Sequence, residues 1–155
     1  MNAERRAQAR AWMRQDPDHE TRDELAAVIT RAAAGDEAAA SDLDDRFSTR
    51  RAFGTAGLRG ALGAGSNRMN RVLVAQAAAG FASYLREKSR GGTPTIVVGY
   101  DGRRNSRVFA TDSAELFAGA GLRAILLPRL LPTPVLAFAV RPLGADAGVM
   151  VTASH

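Results

Sequence analysis

The sequence predicts an α/β fold in which a mostly parallel sheet is flanked by helices, with a helical extension at the N-terminus. Two observations predict this fold. Beyond residue 90, short β-branched apolar segments alternate with longer segments whose apolar residues recur every three or four positions. The first 47 residues show only the helical pattern and no convincing strand. We therefore expect a helical extension over residues 1–48 and an α/β domain over residues 49–155.

Three helices are predicted in the extension. The first covers Ala3–Arg14, which is rich in good helix formers. Thr21 followed by Glu24 matches a capping box, and Gly35 supplies a stop signal for the helix that follows this box. A third, short helix is predicted over Glu37–Phe47. These signals account for the whole extension without a strand.

The α/β pattern begins after a glycine-rich loop. A helix is predicted over Arg71–Lys88, because its apolar residues fall on one face. Thr95–Tyr100 is β-branched and apolar on both faces, which is typical of a buried parallel strand. The remaining elements are predicted in this order: a helix through Phe109 and Ala120 closed by Gly121, a strand over residues 123–128, a helix over Thr133–Arg141 capped by Thr133, and a strand over residues 147–152.

Composition and charge restrict the classes of function. No apolar run approaches the length of about 18 residues that spans a bilayer, and the charged N-terminus does not resemble a signal peptide. The net charge is +5, but the arginines are scattered and interleaved with acidic residues, which disfavours nucleic acid as a partner. The chain has no cysteine, so disulfides and thiolate sites are excluded and a reducing cytosol is favoured. We therefore expect a cytoplasmic protein with no membrane partner.

Three segments are candidates for binding or catalysis. Ligands of an open α/β sheet bind beyond the carboxyl ends of its strands, where the polar turn Asp101–Ser106 and the Ala-Ser-His segment 153–155 fall. The third candidate is the loop Phe53–Gly60, with glycines at 54, 57 and 60, whose backbone amides can face an anion. Each signal is weak when taken singly, and an ordinary structural turn is the alternative for each.

Ser154 is compatible with more than one chemistry. A hydrolase serine sits in a Gly-x-Ser-x-Gly elbow, which is absent around Ser154. His155 is a poor general base for it, since neighbouring side chains of an extended chain point to opposite faces. Acyl transfer is therefore disfavoured. A serine that carries a phosphoryl group fits better, with Arg59 suited to hold the phosphate through its planar donors, and an ordinary loop remains the alternative.

Phe53–Gly60 and Val151–His155 together resemble the α-D-phosphohexomutase superfamily, the phosphoglucomutases and phosphomannomutases. Residues 152–155 match the first four residues of its Thr-Ala-Ser-His-Asn-Pro serine motif. Further matches occur, in the order of the family, at residues 97–103, 106, 132–134 and 148–150. The resemblance covers residues 51–155 and implies the fold of phosphoglucomutase domain I. The helical extension resembles the branch that contains type 2 phosphoglucomutase and phosphopentomutase.

The resemblance implies an intramolecular phosphotransferase, that is, an isomerase. Phospho-Ser154 would give its phosphoryl group to a sugar monophosphate and then take back the other phosphate of the bisphosphate, so that hexose 1-phosphate and hexose 6-phosphate interconvert. Glucose or mannose is the expected sugar, and a sugar bisphosphate would be both intermediate and activator. Arg59 and His155 match catalytic residues of the family, and Thr55, Gly57 and Arg59 match its phosphate-binding loop. The phosphate of Ser154 would also bind Mg²⁺.

The resemblance also implies parts that this sequence does not contain. The family has four domains around one cleft, and its Asp-Gly-Asp-x-Asp-Arg loop, which holds Mg²⁺, has no counterpart here. We expect the chain alone to be inactive, and its partners to be a sugar phosphate and the C-terminal domains of its own family. Asp101, Arg103 and Ser106 match a family turn for which a structural role is expected. The alternative function is a non-catalytic sugar-phosphate-binding or remnant domain.

Overall fold

The computed structural model describes residues 3–54, 57–89 and 91–152. Among these residues, no helix is long and apolar enough to cross a membrane. The chain forms two compact units, Met1–Leu73 and Val74–His155. The first unit holds the helical extension together with the glycine-rich loop, and the second holds the sheet. The predicted domain boundary after residue 48 stays a prediction, because a compact unit and an inherited domain need not end at the same residue.

Three helices form the larger part of the first unit: α1 (Ala3–Gln15), α2 (His19–Ala33) and α3 (Glu37–Arg46). These bounds confirm the three predicted helices to within a few residues. Their apolar faces meet around Leu25 and Leu43, which are both fully buried. Helices of this length depend on such burial more than on intrinsic propensity.

The predicted capping box of α2 is wrong. The helix already begins at His19, and the Asp18 carboxylate accepts a 3.0 Å hydrogen bond from the backbone N–H of Glu20. Thr21 instead donates its hydroxyl to the buried Asp16 at 2.7 Å. Aspartate and threonine are both good N-cap residues, and the hydroxyl of Thr21 is engaged by Asp16, five residues earlier in the chain, so Asp18 caps the helix.

The boundary between α2 and α3 is confirmed at Gly35. This residue has a φ of +93°, a conformation that favours glycine. Asp36 then caps α3, since its carboxylate accepts a 3.0 Å hydrogen bond from the N–H of Ala39. That bond, followed by the hydrogen bond from the Arg31 guanidinium, lowers the pKa of Asp36 below its usual value. The charged form of Asp36 is therefore favoured where the positive end of the helix dipole lies.

Arg46, the last residue of α3, is a buried cation that links three segments of the first unit. Its guanidinium donates to Glu24 at 2.7 Å, to Asp42 at 2.9 Å and to the carbonyl of Ala64 at 3.2 Å. Burial by itself lowers the pKa of Arg46, but the hydrogen bonds to the two carboxylates outweigh it, and the pKa is raised overall. The side chain therefore stays charged and ties α2 and α3 to the glycine-rich segment around Ala64.

Replacing Arg46 with alanine is expected to lower the free energy of unfolding of the first unit by about 2 kcal/mol. The change leaves two carboxylates without their cation, but both are more than a third exposed, which reduces the cost below that of a fully buried pair. Urea unfolding followed by circular dichroism measures the loss. The matched control is Arg31→Ala, which breaks an exposed pair with Asp36 and should cost clearly less. Equal losses would contradict this account of Arg46.

The second unit is built on a parallel sheet. The elements from α4 onward are α4 (Arg71–Lys88), β1 (Thr95–Tyr100), α5 (Ser106–Gly119), β2 (Arg123–Leu126), α6 (Thr133–Val140) and β3 (Ala147–Val151). The strands of the described part of the chain lie in the order β2-β1-β3, and β1 is parallel to both neighbours. This topology confirms the predicted α/β fold with a mostly parallel sheet.

The central strand β1 separates two apolar layers. All six of its residues are buried, as predicted. Ile96 and Val98 pack into the cluster that contains residues of α4 and α5, whereas Val97 packs with Leu136 of α6. Successive side chains of a strand point to opposite faces, and helices cover both faces of β1, so all of its residues are buried. The carboxyl ends of β1 and β3 lie side by side at one edge of the sheet, and polar residues follow both strands there.

The predicted cap role of Thr133 is wrong. Thr133 is the first residue of α6, and Pro132 occupies the cap position without a side-chain cap hydrogen bond. Pro134 lies in the first turn, where its fixed φ already suits a helix, so the helix can start without a capping hydroxyl. The ends of β2, α6 and β3 lie within two residues of the predicted ones.

Candidate functional site

The glycine-rich loop closes on itself through its backbone. The N–H of Gly54 donates to the carbonyl of Gly57, and the N–H of Gly57 donates to the carbonyl of Gly54, both at 3.1 Å. Gly57 has a φ of +88°, a conformation that favours glycine. Thr55 lies outside the described residues. The predicted phosphate contacts of Thr55 and Gly57 stay predictions, and Gly57 would have to share an amide hydrogen that already has an acceptor.

Arg59 follows this turn on the surface of the first unit. Its side chain is exposed and forms no ion pair or hydrogen bond with the part of the chain that the structure describes. The planar fork of a guanidinium carries five N–H donors and matches the oxygens of a phosphate. The predicted catalytic role of Arg59 stays a prediction.

Asn70 holds the segment between the loop and α4, and only 2% of it is exposed. Its side-chain amide donates to the carbonyls of Gly63 and Gly65 at 2.8 and 2.9 Å. Its side-chain oxygen accepts from the backbone N–H of Leu73 at 2.9 Å. Asn70 therefore caps α4 while fixing the turn before it, so this amide of the helix N-terminus is not available to an anion.

Arg51 and Asn67 connect the same segment to the end of α3. The backbone N–H of Arg51 donates to the carbonyl of Ser66 at 3.0 Å, and its guanidinium donates to the carbonyl of Asn67 at 3.3 Å. The backbone N–H of Asn67 donates in turn to the carbonyl of Arg46 at 2.9 Å. The residues on both sides of Arg59 are thus fixed to each other and to the helical extension, which supports the loop rather than forming a separate appendage.

Polar residues meet at the carboxyl edge of the sheet, where β1 and β3 end. Asp101 directly follows β1, and its Oδ1 accepts from the backbone N–H of Arg103 at 3.1 Å and from the hydroxyl of Ser106 at 2.7 Å. Its Oδ2 accepts from the hydroxyl of Thr152 at 2.7 Å. The backbone N–H of Asp101 donates to the carbonyl of Val151 at 3.2 Å. The structure thus brings the predicted polar turn together with the first residue of the serine motif.

Ser154 and His155 lie outside the described residues, so their catalytic roles stay predictions. Sequence reasoning missed two supports of the candidate segments: the cap formed by Asn70 in the first unit and the bond between Asp101 and Thr152 in the second. Asn70 could have been found, because an asparagine before a helical pattern is a cap signal. The bond between Asp101 and Thr152 joins residues 51 positions apart and leaves no local signal.

The described residues do not by themselves form a magnesium site. Within residues 3–54, 57–89 and 91–152, no group of three or more histidine, aspartate or glutamate side chains could hold a metal ion. At the sheet edge, both oxygens of Asp101 already accept hydrogen bonds from the protein. The predicted binding of Mg²⁺ by the phosphate of Ser154 stays a prediction, because Ser154 lies outside the described residues.

Comparison with known proteins gives the family. Residues 50–155 match the family model described as phosphoglucomutase/phosphomannomutase, alpha/beta/alpha domain I. The chain is 63% identical over 87 residues to the "Probable phosphomannomutase" of Haemophilus influenzae. This alignment covers 56% of this chain and 18% of that protein. The chain is 39% identical over 145 residues to the "Probable phosphoribomutase" of Schizosaccharomyces pombe. This alignment covers 93% of this chain and 24% of that protein.

A solved structure agrees with this result. The crystal structure of a "putative phosphomannomutase" from Thermus thermophilus matches 69% of this chain and 23% of its own, with a TM-score of 0.62 and 36% identity. The chain therefore spans less than a quarter of the length of these relatives. The resemblance inferred from the motifs and the fold of domain I are both confirmed, and the chain belongs to the phosphoglucomutase/phosphomannomutase family.

Proposed function

We propose that the gene product that carries this chain is a phosphosugar mutase, an isomerase that moves a phosphoryl group between two positions of one sugar. The family match over residues 50–155, which includes the serine motif, is the observation that carries the proposal. The sheet edge supports it, since Asp101 and Thr152 lie at the carboxyl ends of β1 and β3, where α/β folds bind their ligands.

Ser154 is the proposed phosphoryl carrier. The hydroxyl at C6 of the sugar 1-phosphate attacks the phosphorus of phospho-Ser154, the bond from phosphorus to Oγ breaks, and the proton of the attacking hydroxyl ends on the freed serine. The sugar bisphosphate then turns in the cleft. The Oγ of Ser154 attacks the phosphorus of the 1-phosphoryl group, the bond from that phosphorus to the C1 oxygen breaks, and the serine proton ends on the C1 oxygen. The sugar 6-phosphate is released and phosphoserine is restored. His155, the neighbour of the carrier, is proposed as a second catalytic residue.

Arg59 is proposed to bind the transferring phosphoryl group, with Thr55 and Gly57 as further contacts. Its exposed guanidinium, which has no partner among the described residues, supports this role. Phosphoryl transfer depends on positioning and on neutralising the charge of the phosphoryl oxygens, more than on covalent chemistry by the protein. A net charge of +5 also favours the approach of an anionic sugar phosphate.

Mg²⁺ and a sugar 1,6-bisphosphate are proposed as requirements of the whole protein. The metal would neutralise charge at the phosphate of Ser154, with carboxylate ligands from outside this chain. The 155 residues alone are therefore proposed to be inactive without the C-terminal domains of the family. We propose a cytoplasmic location and neither a nucleic-acid nor a membrane partner.

The proposed substrate is a hexose phosphate, with glucose or mannose as the sugar. A pentose phosphate is the second candidate, favoured by one observation. The alignment with the "Probable phosphoribomutase" covers 93% of the chain and so includes most of residues 1–48, whereas that with the "Probable phosphomannomutase" covers 56%. The helical extension is thus a feature shared with a relative named for a pentose substrate.

A turnover assay tests the proposal. The purified gene product is given Mg²⁺, a trace of glucose 1,6-bisphosphate and one of three substrates: glucose 1-phosphate, mannose 1-phosphate or ribose 1-phosphate. We expect the 6-phosphate of a hexose, or the 5-phosphate of ribose, to form. Mass spectrometry of the digested protein should find a phosphoryl group on the peptide that contains Ser154. The ranking of kcat/KM among the three substrates identifies the sugar.

The opposite result identifies the alternative function. If the gene product shows no turnover of any substrate and no phosphate on Ser154, the mutase proposal is wrong and a non-catalytic domain is favoured. Calorimetric titration with glucose 1,6-bisphosphate then separates a sugar-phosphate-binding module, which gives a heat signal that saturates, from a remnant that does not bind.

A further inference from the structure

The carboxylate of Asp101 divides its two oxygens between two parts of the sheet edge. Oδ1 accepts from the backbone N–H of Arg103 at 3.1 Å and from the hydroxyl of Ser106 at 2.7 Å, both within the turn that follows β1. Oδ2 accepts from the hydroxyl of Thr152 at 2.7 Å, immediately after β3. One side chain therefore joins the β1 turn to the point where the chain leaves β3.

The two sides of this junction differ in burial. Ser106 is the first residue of α5 and only 3% of it is exposed, so its hydroxyl needs a partner inside the protein. Thr152 is exposed, and water can satisfy a hydroxyl at such a place nearly as well as a carboxylate does. The bond from Thr152 is therefore not needed to satisfy a buried group. Its effect is to fix the orientation of Thr152.

Asp101 is itself held in place, so Thr152 is tied to a fixed point. The backbone N–H of Asp101 donates to the carbonyl of Val151, which extends the pairing of β1 and β3 beyond its last strand pair, Tyr100 with Val151. In the same turn, Asn105 has a φ of 65°, a left-handed conformation that asparagine tolerates better than most residues. The two bonds of Oδ1 thus hold Asp101 within the turn independently of the bond from Thr152 to Oδ2.

We propose that Asp101 is a positioning residue for phosphoryl transfer, which acts through Thr152 to set the direction in which the chain leaves β3 toward Ser154. The proposal rests on the proposed function, in which Ser154 carries the phosphoryl group. Asp101 does not act on the substrate. Misplacement of a reacting group by about 1 Å can cost about 100-fold in rate, so an exposed bond that adds little stability can still control turnover.

The Thr152→Val variant of the gene product is the decisive test, because valine keeps the shape of threonine and removes the donor. Asp101→Asn is less sharp, since the hydroxyl of Thr152 can accept from an amide as well as donate to a carboxylate. In Thr152→Val we expect kcat to fall about 10-fold or more, with KM changed less than about twofold and the unfolding midpoint nearly unchanged. Thr152→Ser, which restores the donor, should recover most of kcat.

Thr30→Val is the matched control for this substitution. The hydroxyl of Thr30 is exposed and donates to the carbonyl of Ala26 at 2.9 Å within α2, so the same chemical change is made at a site with no proposed role in phosphoryl transfer. Its kcat should equal that of the unaltered protein. If Thr152→Val keeps the unaltered kcat, or if Thr152→Ser is as slow as Thr152→Val, the positioning role of Asp101 is overturned.

A second readout does not depend on turnover. The exchange of the Asp101 amide hydrogen, measured by nuclear magnetic resonance, reports its bond to Val151. We expect this exchange to be several-fold faster in Thr152→Val than in the unaltered protein or in Thr152→Ser. If the unaltered protein shows neither turnover nor phosphate on Ser154, the proposed function fails. In that case the exchange rates alone test whether Asp101 fixes the end of β3. Equal rates in the three proteins would show that it does not.

Discussion

Replacing Ser154 with alanine in the gene product that carries this chain is expected to reduce mutase turnover to below about a thousandth of the unaltered rate. Alanine has no oxygen that can accept the phosphoryl group, so the phosphoenzyme cannot form and the bisphosphate has no group to return its phosphate to. The loss should therefore appear in kcat. Turnover of glucose 1-phosphate, together with mass spectrometry of the peptide that contains residue 154, measures both effects.

Ser83→Ala is the matched control for this prediction. Ser83 is an exposed serine of α4 whose hydroxyl donates to the carbonyl of Ala79 at 3.1 Å, within the same helix. Its replacement should leave both the rate and the phosphorylation of Ser154 unchanged. If Ser154→Ala retained a substantial part of the turnover, or if phosphate appeared elsewhere in the active protein, another residue would be the carrier.

The sheet could be predicted because each of its elements carries a local signal. The strand Thr95–Tyr100 contains a continuous β-branched apolar run, residues 96–98, and such a run is typical of a strand that helices cover on both faces. Gly35 and Gly121 both mark helix ends, and both have the positive φ that favours glycine. Apolar periodicity and glycines at helix ends depend only on residues that are close in sequence. A single sequence is therefore enough to predict the elements that they mark.

Apart from the cap formed by Asn70, the supports of the candidate segments could not be predicted, because they join residues that are far apart in sequence. The bond between Asp101 and Thr152 and the contacts of Arg46 join segments far apart in sequence. The family motifs predict the functional residues, but they carry no signal for the contacts that hold those residues in place.

Gly65 lies in the turn that supports the glycine-rich loop, and Gly65→Ala is expected to lower the free energy of unfolding of the first unit by about 3 kcal/mol or more. Gly65 has a φ of +115°, and an added Cβ would lie 2.6 Å from the carbonyl oxygen of Arg46 and 2.9 Å from its Cβ. These atoms belong to the backbone or are bonded to it, so they cannot swing away as a side-chain end can. The carbonyl of Gly65 also accepts from Asn70 at 2.9 Å, so a shift of the turn would weaken the cap of α4.

Gly35→Ala separates the two causes of this loss. Gly35 also has a positive φ, +93°, but an added Cβ there would meet no atom within 4 Å. Its replacement should cost about 1 kcal/mol, the strain of a left-handed conformation alone. The difference between the two variants in urea unfolding therefore measures the close approach of Gly65 to Arg46. Equal losses would contradict a tight contact between the helical extension and the turn. A larger loss at Gly65 would show that this extension needs a residue without a side chain where it supports the loop that carries Arg59.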